Sequence, residues 1–339
     1  MAAPGRVRSE DALSEIVGFV LVLALVVVAS TLYLMYVVPA EGREDEITQM
    51  NEVQDRFVSY KTSVDGLWMR SLADLSVAGT RGVSLSTSFD LGTGGGNTQS
   101  SGLFLSFMRP IGTAANMRTQ IGTEPTDTIE DRIGLRLNED EYYFANDAEF
   151  NEVPVGSLSY HTDNYYWIQQ NYIYKLGGVF LEQPGEGVSV KVAPPIAIYQ
   201  VKNALNDPPS DAVKVSLSLV NITSPSSTVG GTGPLRVETR LRESVVASYR
   251  NEPLKEVVFW VYAKDEFWAD AWLQVFHDLK RKCPVSNPDE WIDIEQDNSD
   301  PRMVTLHVSH KPGGVPSPTS DVFLDLSEAT LQVTFEYDE

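Results

Sequence analysis

IVGFVLVLALVVVASTLYLMYVVPA, residues 16–40, contains no charged side chain and determines where the rest of the chain lies. As a helix, residues 16–38 extend about 34 Å at about 1.5 Å per residue, enough to cross a hydrocarbon core of about 30 Å. A cleaved secretory signal is the alternative reading, but its apolar core is only about 7–15 residues long. The stretch therefore predicts one membrane-spanning helix near the N-terminus.

The charges that flank the span predict its orientation. Arg6 and Arg8 precede it, whereas residues 41–46 contain four acids and one arginine. Basic residues collect on the cytoplasmic side of a membrane helix. We therefore expect a single-pass protein of the cytoplasmic membrane, with its N-terminus inside and a C-terminal ectodomain outside the cell.

The composition excludes several functional classes. The 339 residues include 47 acids and 26 lysines and arginines, which gives a net charge of -21. Such a surface repels phosphate backbones, so no nucleic-acid partner is expected. A single cysteine and four histidines offer little material for metal or acid–base chemistry. We therefore expect no cofactor, no metal site, no catalytic residues and no enzymatic activity.

The residues that lead into the span, Asp11-Ala12-Leu13-Ser14-Glu15-Ile16-Val17-Gly18-Phe19, form a distinctive motif. This motif resembles the N-terminus of archaeal type IV pilins and pilin-like surface proteins. In that family a prepilin peptidase cuts after a small residue. The cut is followed by one apolar residue, then by Ser, Pro or Glu, and then by two aliphatic residues and Gly. The resemblance implies a leader of residues 1–12. The matching leader motif is Ser14, Glu15, Ile16, Val17 and Gly18.

By position, the resemblance implies cleavage between Ala12 and Leu13, with Leu13 as the first residue of the mature chain. Asp11 departs from the family pattern, which usually has Lys or Arg there. The implied partners are membrane lipid, prepilin peptidase and other pilin-like subunits. A plain signal anchor without processing is the alternative.

After the span, an apolar stripe continues at helical spacing and predicts that residues 13–72 form a transmembrane and then an amphipathic helix. Its members recur every three or four residues: Ile47, Met50, Val53, Phe57, Tyr60, Val64 and Leu67. This spacing favours packing on a β domain of the same chain. A coiled-coil stalk between identical chains is the alternative.

The remaining sequence predicts a mainly β, sandwich-like ectodomain. Alternating or β-branched segments predict strands at residues 84–91, 102–108, 133–137, 142–145, 157–160, 178–181, 188–192, 196–201, 213–220, 235–241, 257–262, 303–308 and 331–337. One amphipathic helix is predicted at 265–282. Residues 203–211 suggest a boundary between a first β module, 73–205, and a second, 206–339; one domain over 73–339 is the alternative.

Other candidate sites receive weaker support. Tyrosines and a tryptophan between residues 160 and 174 could form a sugar-stacking platform, but their alternation favours strand core. Acids at 293–300 could bind calcium, yet they lack the spacing and glycine of a calcium loop. Asn221-Ile222-Thr223 is a glycosylation acceptor motif at a strand end, where we expect exposure.

These features together predict a non-enzymatic, pilin-like surface protein that serves adhesion, envelope structure or filament assembly. The alternative is a single-span anchor that displays a ligand-binding (carbohydrate or peptide) or hydrolytic β domain and never polymerises.

Overall fold

A computed structural model describes residues 8–73, 84–93, 110–121, 131–138, 140–141, 152–201, 212–248, 253–311 and 321–337. The predicted strands at 102–108 and 142–145 and the suggested boundary at 203–211 fall outside these ranges.

One long helix occupies the N-terminal part of the described chain. Helix α1 (Arg8–Leu32) leads through a π-helical turn (Tyr33–Val37) into α2 (Val38–Ala73). The π turn ends two residues before Pro39, which lacks an N–H group and cannot complete a regular helical hydrogen bond. Val38 N–H donates to the carbonyl of Tyr33, so the widened turn absorbs the proline without ending the helix.

The rest of the described structure is mainly β, as predicted, and its strands form three sheets where a simple sandwich has two. The strands are β1 (Ser84–Leu91), β2 (Ala115–Gln120), β3 (Arg132–Leu137), β4 (Asp140–Glu141), β5 (Glu152–Pro154), β6 (Ser157–Thr162), β7 (Asn171–Lys175), β8 (Gly178–Gln183), β9 (Gly187–Val192), β10 (Ile196–Gln200), β11 (Val213–Ile222), β12 (Ser227–Gly231), β13 (Gly233–Ser248), β14 (Glu256–Tyr262), β15 (Ile292–Gln296), β16 (Met303–Ser309) and β17 (Val322–Tyr337).

Strand order defines the three sheets. Sheet A runs β1-β13-β17-β11-β10, sheet B runs β12-β2-β6-β7-β8-β9, and sheet C runs β15-β16-β14-β3-β4 with β5 paired to β3. Among the described strands, β11 pairs with β17 in parallel, and the other pairings within the sheets are antiparallel. Alternate residues of β11 are buried, as expected for a strand with one face on the core.

Strand pairing crosses the suggested boundary between residues 73–205 and 206–339. Sheet A joins β1 to β13, sheet B joins β2 to β12, and sheet C joins β3 to β14. Each sheet therefore combines strands from both sides of residues 203–211. Long-range hydrogen bonding therefore ties the two halves of the chain together.

Two apolar cores stabilise the β domain. The first lies around helix α3 (Glu266–Lys282), whose Trp268, Trp272 and Phe276 are fully buried beside strands of sheets A, B and C. Asp265 caps this helix by accepting a hydrogen bond from Trp268 N–H, which confirms the predicted helix and its start. The second core encloses the buried face of α2 between sheets A and B.

Candidate functional site

The N-terminal half of the long helix is an exposed apolar surface. It is the one helix of the described residues that is long and apolar enough to cross a membrane. Phe19 is 68% exposed and Leu25 is 70% exposed, and the leader-motif residues Ser14–Gly18 are exposed as well. Ala12 and Leu13 lie within α1. The β domain covers none of the most apolar stretch of this helix.

The C-terminal half of the same helix is buried along one face. Of the predicted stripe, Met50, Val53, Phe57, Tyr60, Val64 and Leu67 are all buried, and Ile47 is half-buried. The structure places this face against β1 and β13 of sheet A and against β7 and β8 of sheet B. The stripe therefore lies in a groove between two sheets of its own chain.

Aromatic side chains form the centre of this groove. The ring of Phe57 lies 5.2 Å from that of Phe89 and stacks 6.1 Å from that of Tyr172. The Tyr60 ring meets Tyr174 edge to face at 5.2 Å, and its hydroxyl lies 2.9 Å from Thr239 Oγ1. Tyr160, Tyr172 and Tyr174 are thus core residues, as their alternation predicted, whereas the alternative of a sugar-stacking platform requires exposed rings.

A buried carboxylate fixes the helix to the β domain at the end of the groove nearest the apolar half. Glu46, only 1% exposed, accepts hydrogen bonds from the backbone N–H groups of Tyr165, Tyr166 and Trp167 at 2.8, 2.9 and 2.6 Å. We call this arrangement the Glu46 clamp, and residues 163–170 between β6 and β7 the rim loop. Charged acceptors make strong hydrogen bonds, so the clamp holds the rim loop in one conformation.

The helix also packs against aromatic rings of the rim loop. A Cβ at Gly42 would lie 2.4 Å from Cδ2 of Tyr166, so only glycine allows this approach. The guanidinium of Arg43 lies 4.3 Å from the centre of the Trp167 ring, a cation–π contact. Sequence reasoning missed the clamp, although Glu46 lies four residues before Met50 on the stripe face.

A polar cavity of about 80 Å³ lies between sheet B and α3. Lys175 pairs with Asp131, and Lys264 pairs with Glu182 at 2.7 Å. Both ammonium groups also lie over the ring of Trp268, at 4.0 and 5.3 Å. The cavity has room for a few water molecules, and its charges are arranged in opposite pairs.

One serine–histidine pair borders this cavity. His161 Nε2 lies 2.8 Å from Ser159 Oγ, and burial, followed by the charge of Arg118, lowers the pKa of His161. A neutral histidine beside a serine is the first part of a nucleophilic arrangement. The neighbouring acids are engaged by lysines, and no cluster of metal-ligating side chains occurs among the described residues.

The environment of Glu182 in this cavity predicts how the stability of the protein depends on pH. Burial disfavours the charged form of Glu182, but the hydrogen bond and charge of Lys264, with hydrogen bonds from Asn171 and Trp268, outweigh it and lower the pKa to about 2. An acid whose pKa falls on folding stabilises the folded protein at pH values above the pKa that the acid has in the unfolded chain, here about 4.5. This contribution to the free energy of unfolding is lost as the pH falls towards the pKa of the folded state.

We therefore expect Glu182→Gln to lower the free energy of unfolding at neutral pH, and the difference from wild type to shrink between pH about 4.5 and about 2. Urea unfolding at a series of pH values measures this difference. Glu186→Gln, which changes an exposed acid in the next turn, should show no such trend. A difference that is constant across this pH range would contradict the role of the ionised Glu182.

The structure corrects the exposure predicted for Asn221. Its side chain is half-buried: Nδ2 donates to the carbonyl of Pro154 at 3.1 Å, and Oδ1 accepts from Gly156 N–H at 2.9 Å. The Asn221 amide therefore bridges β11 to the segment around β5. Among the acids at 293–300, Asp300 accepts hydrogen bonds from Arg302 and Tyr262.

Comparisons of the chain with protein-family models, with curated proteins and with solved structures found no significant match. The contacts of the long helix and of the polar cavity are therefore the basis for inferring function.

Proposed function

We propose that this chain is a pilin-like, membrane-anchored cell-surface protein without enzymatic activity, which serves filament assembly, adhesion or envelope structure. Its N-terminus lies in the cytoplasm, and its β domain lies outside the cell. The observation that supports this proposal is the division of one continuous helix into an exposed apolar half and a half buried between sheets A and B.

The division of the helix into an exposed half and a buried half explains how such a protein would be anchored and assembled. In a membrane, the exposed half contacts lipid; in an assembled filament, the same surface would contact the helices of other pilin-like subunits. The buried half belongs to the core of the β domain, and each fully buried apolar side chain contributes about 1.5–3 kcal/mol. The helix and the domain therefore move as one body, so a force on the helix displaces the whole domain.

The polar cavity supports the non-enzymatic part of the proposal. Its lysines and acids neutralise one another, and a volume of about 80 Å³ admits water but not a sugar or a peptide segment. The Ser159–His161 pair is the observation that favours the alternative, a single-span anchor that displays a hydrolytic or ligand-binding β domain. That alternative does not require processing or assembly.

Processing by a prepilin peptidase tests the proposal. We expect the chain isolated from membranes of cells that contain the peptidase to begin at Leu13, because Ala12 and the motif that follows match the recognition pattern. Intact mass and N-terminal sequencing measure this directly.

Matched leader variants sharpen the test. Ala12→Trp places a bulky residue at the cleavage site and should leave residues 1–12 attached, whereas Ala3→Trp makes the same change elsewhere in the leader and should be processed normally. If the wild-type chain retains residues 1–12 in the presence of active peptidase, the chain is a plain anchor and the alternative is favoured.

A further inference from the structure

The rim loop presents apolar side chains to solvent although its backbone is firmly held. Tyr165 is 67% exposed and Ile168 is 48% exposed. The Glu46 clamp binds three consecutive N–H groups of this loop, and Asn164 Nδ2 donates to the carbonyl of Ile168 at 2.9 Å. The exposure of these side chains is therefore a feature of an ordered loop.

A second segment extends the same apolar surface. Ile111 is 64% exposed, and its N–H donates to the hydroxyl of Tyr166 at 3.3 Å. Pro110, its neighbour, lies against Gly42 of the helix. Ile111 therefore lies beside the rim loop, at the same end of the β domain.

The helix sets the distance between this surface and the membrane. Gly42 is four residues beyond Val38, the last apolar residue of the span, which corresponds to about 6 Å along the helix axis. A bilayer of about 40–45 Å with a hydrocarbon core of about 30 Å has headgroup layers of about 5–8 Å on each side. Tyr166, which contacts Gly42, therefore lies at the level of the headgroups.

The chemistry of the surface suits that layer. Tyrosine and tryptophan concentrate at membrane–water interfaces because they combine an apolar ring with a polar group. Tyr165 and the half-buried Trp167 supply such rings, and Ile111 and Ile168 supply aliphatic groups. The net charge of -21 disfavours attraction to anionic lipid, so apolar insertion must provide the affinity.

We propose that Tyr165, Ile168 and Ile111 insert into the headgroup layer of the membrane that the helix crosses, so that the β domain rests on the bilayer surface. This inference depends on the proposed membrane anchoring. The Glu46 clamp is the device that holds the loop at the correct height. The domain is thus fixed to the membrane at two points, the span and the rim loop.

Spin-label depth measurements on the full chain test this proposal. Single cysteines replace Tyr165 or Ile168 in a Cys283→Ser background, and the labelled protein is reconstituted in phosphatidylcholine bilayers. Labels at Glu44, Glu52 and Ser59, all exposed on the helix, provide a ruler of increasing height. The ratio of oxygen to water-soluble nickel accessibility measures the depth of each label, and unfolding temperatures check that each variant is folded.

We expect the oxygen-to-nickel accessibility ratios of the labels at 165 and 168 to equal or exceed the ratio at 44. They should be several-fold higher than the ratio at 59. Ratios equal to that at 59 would place the loop in water and overturn the proposal. The label at 165 could also show spin–spin broadening that disappears when unlabelled protein is mixed in. Such broadening would place a second copy of the chain on this surface, which also overturns the proposal.

A label at Leu25 separates failure of this proposal from failure of the anchoring. A water-exposed label at Leu25 would mean that the helix does not cross the bilayer, so that the proposed function and the docking both fail. A lipid-exposed label at Leu25 with water-exposed labels at 165 and 168 would leave the anchoring intact and reject the docking alone.

Discussion

Phe57→Asp is expected to unfold the β domain, or to lower its free energy of unfolding by at least about 3–5 kcal/mol, the usual cost of removing a buried aromatic side chain. Phe57 has 0% exposure and packs on Phe89 and Tyr172, where a carboxylate has no partner. Burial of that unpaired charge adds to the cost. Because domains are typically stable by about 5–15 kcal/mol, a change of this size is decisive.

Urea unfolding and light scattering of the full chain in detergent measure the effect of Phe57→Asp. Ser59→Asp is the matched control, because it adds the same charge two residues away on the exposed face of α2. It should change the free energy of unfolding by less than about 0.5 kcal/mol, as exposed substitutions usually do. If Phe57→Asp dissociates an oligomer without changing the unfolding of the domain, the stripe is the seam of a coiled-coil stalk.

The second large effect is expected at the buried ion pair. Asp131 is 3% exposed and pairs with Lys175; it also accepts a hydrogen bond from Lys264 N–H at 2.7 Å. Removal of one partner leaves an uncompensated buried charge, which costs about 3–5 kcal/mol. We therefore expect Lys175→Met to lower the free energy of unfolding by about that amount.

The double variant Asp131→Asn/Lys175→Met tests the reason for this loss. Because it removes both charges, it should be more stable than Lys175→Met alone. Glu336→Gln is the control, since Glu336 pairs with Arg236 at the surface and exposed pairs contribute about 1 kcal/mol or less. A Lys175→Met variant that is as stable as wild type would show that Asp131 does not need the charge of Lys175.

Local patterns in the sequence predicted much of the secondary structure. The alternation of residues 84–91 corresponds to β1, and the spacing of tryptophans and aliphatic residues at 265–282 corresponds to α3. Strands β2, β12 and β15 are among those that were missed. Their sequences, ANMRTQ, STVGG and IDIEQ, are polar or short, and they are strands because a neighbouring strand supplies their hydrogen bonds.

The candidate site was predictable only in part. The stripe from Ile47 to Leu67 follows from its spacing, whereas the clamp of Glu46 depends on a loop more than a hundred residues away. The polar cavity has no signal in the sequence. Asp131, Lys175, Glu182 and Lys264 come from separate segments, and nothing local to any of them indicates its partner.

The sequence by itself determined that this protein has one apolar helix of membrane-spanning length, continued by a stripe of apolar residues, ahead of a mainly β domain. These are local properties, because length, hydropathy and spacing are read along the chain. Only the tertiary structure decided that the stripe lies between sheets A and B, that each sheet combines strands from both halves, and which charges are paired. These features depend on contacts between residues that are distant in the sequence, as in the parallel pairing of β11 with β17. The reason is that burial and hydrogen bonding are optimised over the whole domain.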